Sequence, residues 1–345
     1  MARLMFLGAG GFGTALAVMA HRYGHQVTLW SYDPQQVEEI RQNKENAYLL
    51  PGVPVPEEID VTNSLDALGE ADLVFIATPS SAVREVAAKI RGKMRPDAVV
   101  VCGAKGLERD TLESLSQVLE ESLLENPVVM FSGPSHAEEV SRGAPTTAVV
   151  ASTDPEAARK VQDILSNSSL RLYVNDDVMG VELGGALKNV IALAVGIADG
   201  LGLGDNTKAA LMTRGLTEIA RLGVACGARP ETFSGLSGVG DLIVTCTSVH
   251  SRNRRAGILI GSGWSPQGAV GEVDMTVEGY FSTKAAYQLS RRLGVEMPIV
   301  TEIYKVLYEG KDPQQAIDEL MSRPRRHESE GQWLGVEKRP ETKEN

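Results

Sequence analysis

Along the first half of the chain, short apolar runs alternate with longer stretches whose apolar positions recur every three or four residues. The runs at 3–7, 26–30, 73–77, 98–102, 128–132, 146–151 and 170–173 predict strands covered on both faces. Helical periods lie between several of them, at 14–23, 34–42, 80–90, 111–124 and 155–165. Strands spaced by helices predict βαβ units and a mostly parallel sheet. Residues 43–60, with Pro51, Pro54 and Pro56, read as a loop. After Tyr173 the strand signal largely stops, and 176–201, 206–226, 253–260, 282–292, 300–308 and 313–321 read as helices. The pattern predicts an α/β domain with a mostly parallel sheet over residues 1–175 and an all-α domain over 176–322. Residues 323–345 are charged and nearly devoid of aliphatic side chains, which predicts a disordered tail.

Residues 4–13, LMFLGAGGFG, join the first predicted strand to the first helix through a G-x-G-x-x-G. That order is the context in which this motif binds a dinucleotide, and it makes the first domain Rossmann-like. Gly8 permits the tight turn, Gly10 lets backbone approach a pyrophosphate, and Gly13 lets the helix pack close to the strand. Unpaired N–H groups at the helix start then face the phosphates. Asp33 follows a second apolar run about 20 residues further on, where an acidic group accepts from a ribose hydroxyl.

Composition changes this picture little. With 43% apolar and 23% charged residues the chain is an ordinary globular protein, and 345 residues suit two domains. A net charge of −11 argues against nucleic acid and anionic membranes as partners, so an anionic substrate needs a local basic cluster. Three cysteines, at 102, 226 and 246, have no metal-ligand spacing and read as buried thiols of a reducing compartment. No signal peptide is visible at the start. Residues 178–198 are long and apolar enough to span a bilayer, but they hold Glu182 and Lys188. A charge near the middle of a span costs about 2.5–3.5 kcal/mol. A helix buried in protein is the better reading.

Lys188 is the most telling side chain, lying in GGALKNVIA among small and apolar residues. Gly184 and Gly185 sit one helical turn before it and leave its face bare, with room for a ligand. Glu182 is about 240° round the helix and cannot pair with it. Burial lowers a lysine's pKa and makes it a usable proton donor. Asp241, after the glycine turn 236–240, can orient and charge-pair a lysine from another helix, though Asp after Gly is also a common turn residue. SRNRR from Ser251 supplies the basic cluster. Ser251 reads as a helix cap, and its place before Arg252 and Asn253 in the first turn favours a phosphate site over a solvated basic face. Lys105 follows a strand on the ligand side of the sheet, between glycines. Ser135 and Glu138 have capping-box spacing, and His136 between them reads as a bystander. Glu278 and Gly279 could border a cofactor. No metal-ligand cluster is visible.

These segments, in this order, resemble the bacterial-type NAD(P)-dependent glycerol-3-phosphate dehydrogenase family. The matching stretches are GAGGFGTALA from Gly8, AKGLE from Ala104, SGPSHAEE from Ser132 and GVELGGALKNVIA from Gly180. GLSGVGDLIVTCT from Gly235, SRNRR from Ser251, VEGY from Val277 and GVEMPI from Gly294 continue the series. The resemblance implies reversible reduction of dihydroxyacetone phosphate to sn-glycerol 3-phosphate by NADH or NADPH, feeding glycerophospholipid synthesis. It implies that Lys188 is the general acid/base and that Asp241 supports it. Substrate would also contact Lys105, Gly133, Ser135, Ser251, Arg252 and Asn253. The cofactor would touch Gly11, Phe12, Tyr32, Lys105, Ala137, Arg252, Thr276 and Glu278. A cytoplasmic homodimer without a membrane span is implied. Gly11 stands where the family often has serine, and Tyr32-Asp33 where some members have His-Arg, which leans toward NADH. A different two-domain hydroxyacid-type dehydrogenase, which would want a carboxylate site at SRNRR, is the alternative enzyme. A non-catalytic nucleotide-sensing module, needing neither Lys188 nor SRNRR, is the alternative outside enzymes.

Overall fold

The computed structural model describes residues 1–273, 275–325 and 327–328. Eight strands form one sheet: β1 (Arg3–Leu7), β2 (Gln26–Trp30), β3 (Asp60–Thr62), β4 (Leu73–Ile76), β5 (Val99–Cys102), β6 (Val128–Ser132), β7 (Thr146–Ala151) and β8 (Leu170–Asn175). Their order is β3-β2-β1-β4-β5-β6-β7-β8, and every neighbouring pair is parallel except β6 with β7. Side chains alternate across each strand. Leu4 and Phe6 therefore enter one core while Met5 and Leu7 enter the opposite one. The helices of this half are α1 (Gly11–Arg22), α2 (Pro34–Asn43), α3 (Val83–Ile90), α4 (Leu115–Ser122), α5 (Ala137–Ser141) and α6 (Pro155–Leu165).

From Val178 onward the described elements are helical: α7 (Val178–Gly200), α8 (Asp205–Ala225), α9 (Asp241–Thr247), α10 (Arg252–Gly261), α11 (Pro266–Val273), α12 (Glu278–Leu293), α13 (Pro298–Tyr308) and α14 (Pro313–Met321). The fold is thus a Rossmann-like sheet domain followed by a helical region. Helix α7 is its axis. Its most apolar stretch is entirely inside protein, which accounts for its membrane-like composition. It meets α10 backbone to backbone: a Cβ on Gly196 would lie 2.2 Å from the Arg254 carbonyl oxygen, and one on Gly257 2.3 Å from that of Leu193. Any side chain at either position would force the two helices apart.

Several elements depart from the sequence pattern. Strand β3 ends the stretch read as loop, because Thr28, Leu29 and Trp30 give it a ladder that its own three residues do not announce. Helix α4 starts four residues later than the periodicity suggests. Leu112 has a φ of 64° and Leu107 bridges Ser114, so the chain turns back before Ser114 and Gln117 form a capping box. Helices α5, α9 and α11 are too short for a periodic signal. Cys102 and Cys246 are buried, but Cys226 is only half-buried. The tail reading falls mostly on residue 326 and residues 329–345, outside the described residues.

Candidate active site

The glycine turn opens the site. Gly8 has a φ of 117°, which favours glycine. A Cβ on Gly13 would stand 2.0 Å from the Gly8 carbonyl oxygen, so helix and turn touch. A Cβ on Gly10 would meet nothing within 4 Å. Gly10 caps α1 with no side-chain hydrogen bond, and the first turn of α1 carries no acidic residue. Open space before uncapped N–H groups is a cradle for a pyrophosphate. Gln36 Nε2 and Asn46 Nδ2 both donate to the Ala9 carbonyl, at 2.8 and 2.9 Å, and hold the turn in place. A Cβ on Gly11 would be 2.6 Å from the Leu49 carbonyl oxygen, so the adjoining loop closes on a bare glycine. Phe12 packs against Phe75 and Phe131, and Ala137 lies across from Gly11. At the far edge of the turn Tyr32 is exposed, and Asp33 caps α2 by accepting from the Gln35 N–H at 2.9 Å.

The second cluster gathers three charges from three distant stretches. Lys188, on buried α7, donates from Nζ to Asp241 Oδ1 and, at 2.6 Å, to Thr245 Oγ1. Asp241 is 1% exposed, and its other oxygen accepts from Lys105 Nζ at 2.6 Å. Lys105 also donates to the Gly133 carbonyl at 3.0 Å, as does Ser135 Oγ at 3.0 Å. One carboxylate thus sits between two ammonium groups. Its placement follows from a π-turn at Leu236–Gly240 that leads directly into α9, with Asp241 as the first residue and Thr245 one turn on. Burial pulls Lys188 down to about 7, with Lys105 adding to the effect and Asp241 opposing it. Burial pushes the Asp241 carboxyl up, but Lys105 and Lys188 outweigh it and hold it below the usual range.

Two expectations need correction here. The glycine face of α7 is not open to a ligand. A Cβ on Gly184 would be 2.7 Å from the Ser237 carbonyl oxygen, and one on Gly185 2.6 Å from Ser132 Oγ. Missing side chains let the π-turn backbone move in, which is how Asp241 reaches Lys188. Ser135 and Glu138 form no capping box. Helix α5 begins at Ala137 with His136 as its N-cap and no side-chain cap.

The third group lies at the starts of α10 and α12. Ser251 Oγ accepts from the Arg254 N–H at 3.2 Å, the cap expected from sequence. Arg252 is open to solvent, yet the surrounding protein desolvates it and lowers its pKa, against the pull of Glu278 and Glu138. Asn253 is buried. Its Nδ2 donates to Asn189 Oδ1 at 2.9 Å, and its Oδ1 accepts from the Gly279 N–H at 2.8 Å. Glu278 accepts from the Ser80 N–H at 3.1 Å and from Ser80 Oγ at 2.8 Å, so it ties the helical half to the loop after β4. Thr276 is half-buried just before it. Arg254 is spoken for by Asp199.

Sequence reasoning did not single out Thr245, Thr78, Ser132 or Ser80. Thr245 would have followed from recognising α9, since it lies four residues after Asp241. Among the described residues, three buried side-chain atoms lack a hydrogen-bond partner: Thr78 Oγ1, Ser132 Oγ and His136 Nε2. The Thr78 backbone lies beside Gly8, and Ser132 Oγ and the Lys105 side chain both stand beside Gly185. An unmet buried polar atom signals a missing partner. The residues present therefore fit a dinucleotide on the glycine turn. No group of three or more His, Cys, Asp or Glu among the described residues is placed to hold a metal ion.

A nucleotide cradle on a parallel sheet, joined to a buried lysine on an all-helical half, defines a two-domain nicotinamide-dinucleotide dehydrogenase. Sequence models described as NAD-dependent glycerol-3-phosphate dehydrogenase N-terminus and C-terminus match residues 3–158 and 177–318. Glycerol-3-phosphate dehydrogenase [NAD(P)+] from Thermoanaerobacter sp. (strain X514) is 54% identical over 330 residues, 95% of this chain and 99% of that protein. The protein of the same name from Clostridium acetobutylicum is 50% identical over 95% of this chain and 99% of its own. The crystal structure of glycerol-3-phosphate dehydrogenase from Coxiella burnetii superposes with a TM-score of 0.90 at 38% identity, over 93% of this chain and 99% of that one. D-mandelate dehydrogenase, at 15% identity and a TM-score of 0.61, shares the fold alone. The chain belongs to the NAD(P)-dependent glycerol-3-phosphate dehydrogenase family.

Proposed function

We propose that this protein reversibly reduces dihydroxyacetone phosphate to sn-glycerol 3-phosphate with NADH or NADPH. One observation carries the reading: a buried lysine, poised near neutrality, is held by a carboxylate and a hydroxyl where the two halves of the protein meet. We assign residues 1–175 to the dinucleotide and residues 176–322 to the substrate. Gly8, Gly10, Gly11, Phe12 and Gly13 would cradle the dinucleotide, with Tyr32, Asp33, Lys105, Ala137, Arg252, Thr276 and Glu278 around it. When bound, it supplies the hydride that adds to the ketone carbon.

The protein's own groups do the rest. Arg252 and the first turn of α10 anchor the phosphate, with Ser251 shaping that turn and Asn253 fixing it to α7. Anchoring away from the reacting carbon uses binding energy to orient it. Lys105, Gly133 and Ser135 border the reacting end. The Lys188 ammonium stabilises negative charge as it grows on the ketone oxygen, then transfers its proton to complete the alcohol. Asp241 and Thr245 hold Nζ in place throughout. In the reverse direction neutral Lys188 removes that proton. Supply of glycerophospholipid synthesis by a cytoplasmic homodimer completes the proposal, and three free cysteines agree with a reducing compartment.

Comparison of dihydroxyacetone phosphate with dihydroxyacetone tests the reading directly. Each charge-assisted contact to phosphate is worth about 1.5–3 kcal/mol. The phosphorylated ketone is therefore expected to turn over at least about 100-fold more efficiently. Equal efficiency would remove phosphate recognition, and with it the assigned substrate.

A further inference from the structure

The imidazole of His136 is used by nothing described so far. It stands on the Gly133-Pro134-Ser135 loop, whose backbone already serves Lys105. The ring is half-buried, and its Nε2 is sealed from solvent with no hydrogen-bond partner in the protein. Its ring neighbours that of His250, with centroids 6.1 Å apart, and His250 immediately precedes the Ser251 cap of α10. Lys188, Lys105 and Asp241 are also close enough to act on its charge. The imidazole therefore neighbours both the Lys188 cluster and the residue that precedes the α10 cap, the two regions assigned above to the ketone and the phosphate.

We propose that His136 is a further phosphate-binding residue, its Nε2–H donating a hydrogen bond to a substrate phosphoryl oxygen held at the start of α10. This rests on the substrate assigned above. Leaving a polar atom unmet inside protein is costly, and such an atom beside a ligand site is explained by a group the ligand brings. The substrate's phosphate is rich in acceptors, and a neutral imidazole protonated at Nε2 offers the matching donor. The facing groups agree. Burial and the Lys188 charge lower the His136 pKa, Lys105 adds to this, and Glu138 and Asp241 oppose it. The ring is thus neutral at pH 7. Glu138 is itself engaged near His250, with Oε1 3.8 Å from Nδ1, so it leaves Nε2 of His136 unclaimed.

The test compares His136→Phe, His136→Asn and His136→Gln in steady state with NADH. Glutamine can place an amide N–H near the position of Nε2, whereas asparagine reaches only as far as Nδ1, and phenylalanine keeps only the ring. The expected result is a rise of about 10-fold or more in KM for dihydroxyacetone phosphate in the Phe and Asn variants, as loss of one hydrogen bond to a charged group implies. His136→Gln should recover most of it. KM for NADH and the rate with unphosphorylated dihydroxyacetone should stay at wild-type values. Inorganic phosphate should inhibit the Phe and Asn variants correspondingly less. Unchanged KM and phosphate inhibition in both Asn and Phe variants would overturn the proposal. So would an equal loss on the phosphorylated and unphosphorylated ketones, which marks a structural effect on Lys188. If His136→Phe does not fold, the contrast of Asn with Gln decides alone. Wild-type enzyme that fails to prefer the phosphorylated ketone rejects the substrate assignment itself, whatever the variants do.

Discussion

Replacing Asp241 by asparagine keeps the shape of the site and removes one charge from its centre. The carboxylate is 1% exposed and lies between the ammonium groups of Lys105 and Lys188. Two opposite unit charges about 4 Å apart attract by about 4 kcal/mol at an effective dielectric of about 20. At 1.36 kcal/mol per pKa unit that is about 3 units. Burial has already drawn Lys188 to about 7. Without Asp241 the remaining influences, burial and Lys105, both push the same way, and Lys188 should titrate near about 4. At pH 7 about half of the wild-type molecules carry the ammonium that reduction needs, against about one in a thousand in the variant. The expected result for Asp241→Asn is a loss of about 500-fold in kcat/KM for ketone reduction at pH 7. Alcohol oxidation at the same pH should fall in proportion, because the equilibrium constant fixes the ratio of the two directions and a lysine of lower pKa is a weaker base. The assay is kcat/KM in both directions from pH 5 to 9. Wild-type reduction should fall above about pH 7, and the variant's limb should move toward acid. If the variant's reduction limb stays where wild type has it, the carboxylate does not set the lysine's charge.

The glycine turn separates fold from cofactor binding. Gly10→Ala adds a methyl where nothing lies within 4 Å, on backbone at φ −72° and ψ 173° that alanine adopts freely. It should leave the melting temperature unchanged and raise KM for NADH. Gly13→Ala sets a Cβ 2.0 Å from the Gly8 carbonyl and should destabilise the protein by about 1–3 kcal/mol, read from the urea midpoint. Glu218 is buried, accepts from the Ile299 and Val300 N–H groups at 2.8 and 3.2 Å, and is pushed up by burial to about 7. A carboxyl raised from 4.5 in this way favours folding in its neutral form. Its contribution is present below about pH 4.5 and lost as pH rises through 7, a change of about 3 kcal/mol. Glu218→Gln should flatten the dependence of stability on pH across that window, and an unchanged slope between pH 5 and 8 would count against the shift.

What the sequence showed plainly was local. The needs of Gly8, Gly10 and Gly13 are written in six adjacent residues; the tight turn at Gly8 and the close packing at Gly13 are met as read, and the backbone at Gly10 faces open space. Lys188 announced itself because a charge in an apolar helix has few innocent explanations, and Ser251 because a cap precedes its helix by one residue. What stayed hidden was non-local. Nothing in AKGLE says that Lys105 will share a carboxylate with Lys188, because Asp241 is brought to both by a π-turn whose shape depends on Gly184 across the interface. The same contact reversed the meaning of the glycines on α7, from space for a ligand to space for backbone. His136 looked idle because an unmet hydrogen bond exists only in three dimensions.

Lys188 and the start of α10, the proposed acid and the proposed anion site, are held in register by packing that admits no slack. Helix α7 carries Lys188 and helix α10 carries Arg252, and their backbones touch through Gly196 and Gly257. From there a line of hydrogen bonds runs outward. Asn189, the residue after Lys188, accepts from Asn253. Asn253 accepts in turn from the N–H of Gly279, and the adjacent Glu278 takes both donors of Ser80 on the dinucleotide half. Each link is short, and the Asn189 and Gly279 links are buried, where a satisfied polar network fixes one arrangement and a broken one is costly. Hydride transfer needs reacting atoms within a fraction of an ångström of one geometry. In the proposed reading substrate and dinucleotide each draw contacts from both halves, so that geometry has to be held across their boundary. Glu278 spans that boundary through Ser80, and Asn253 braces it from within the helical half, so residues proposed as ligand contacts also serve as struts between the two halves.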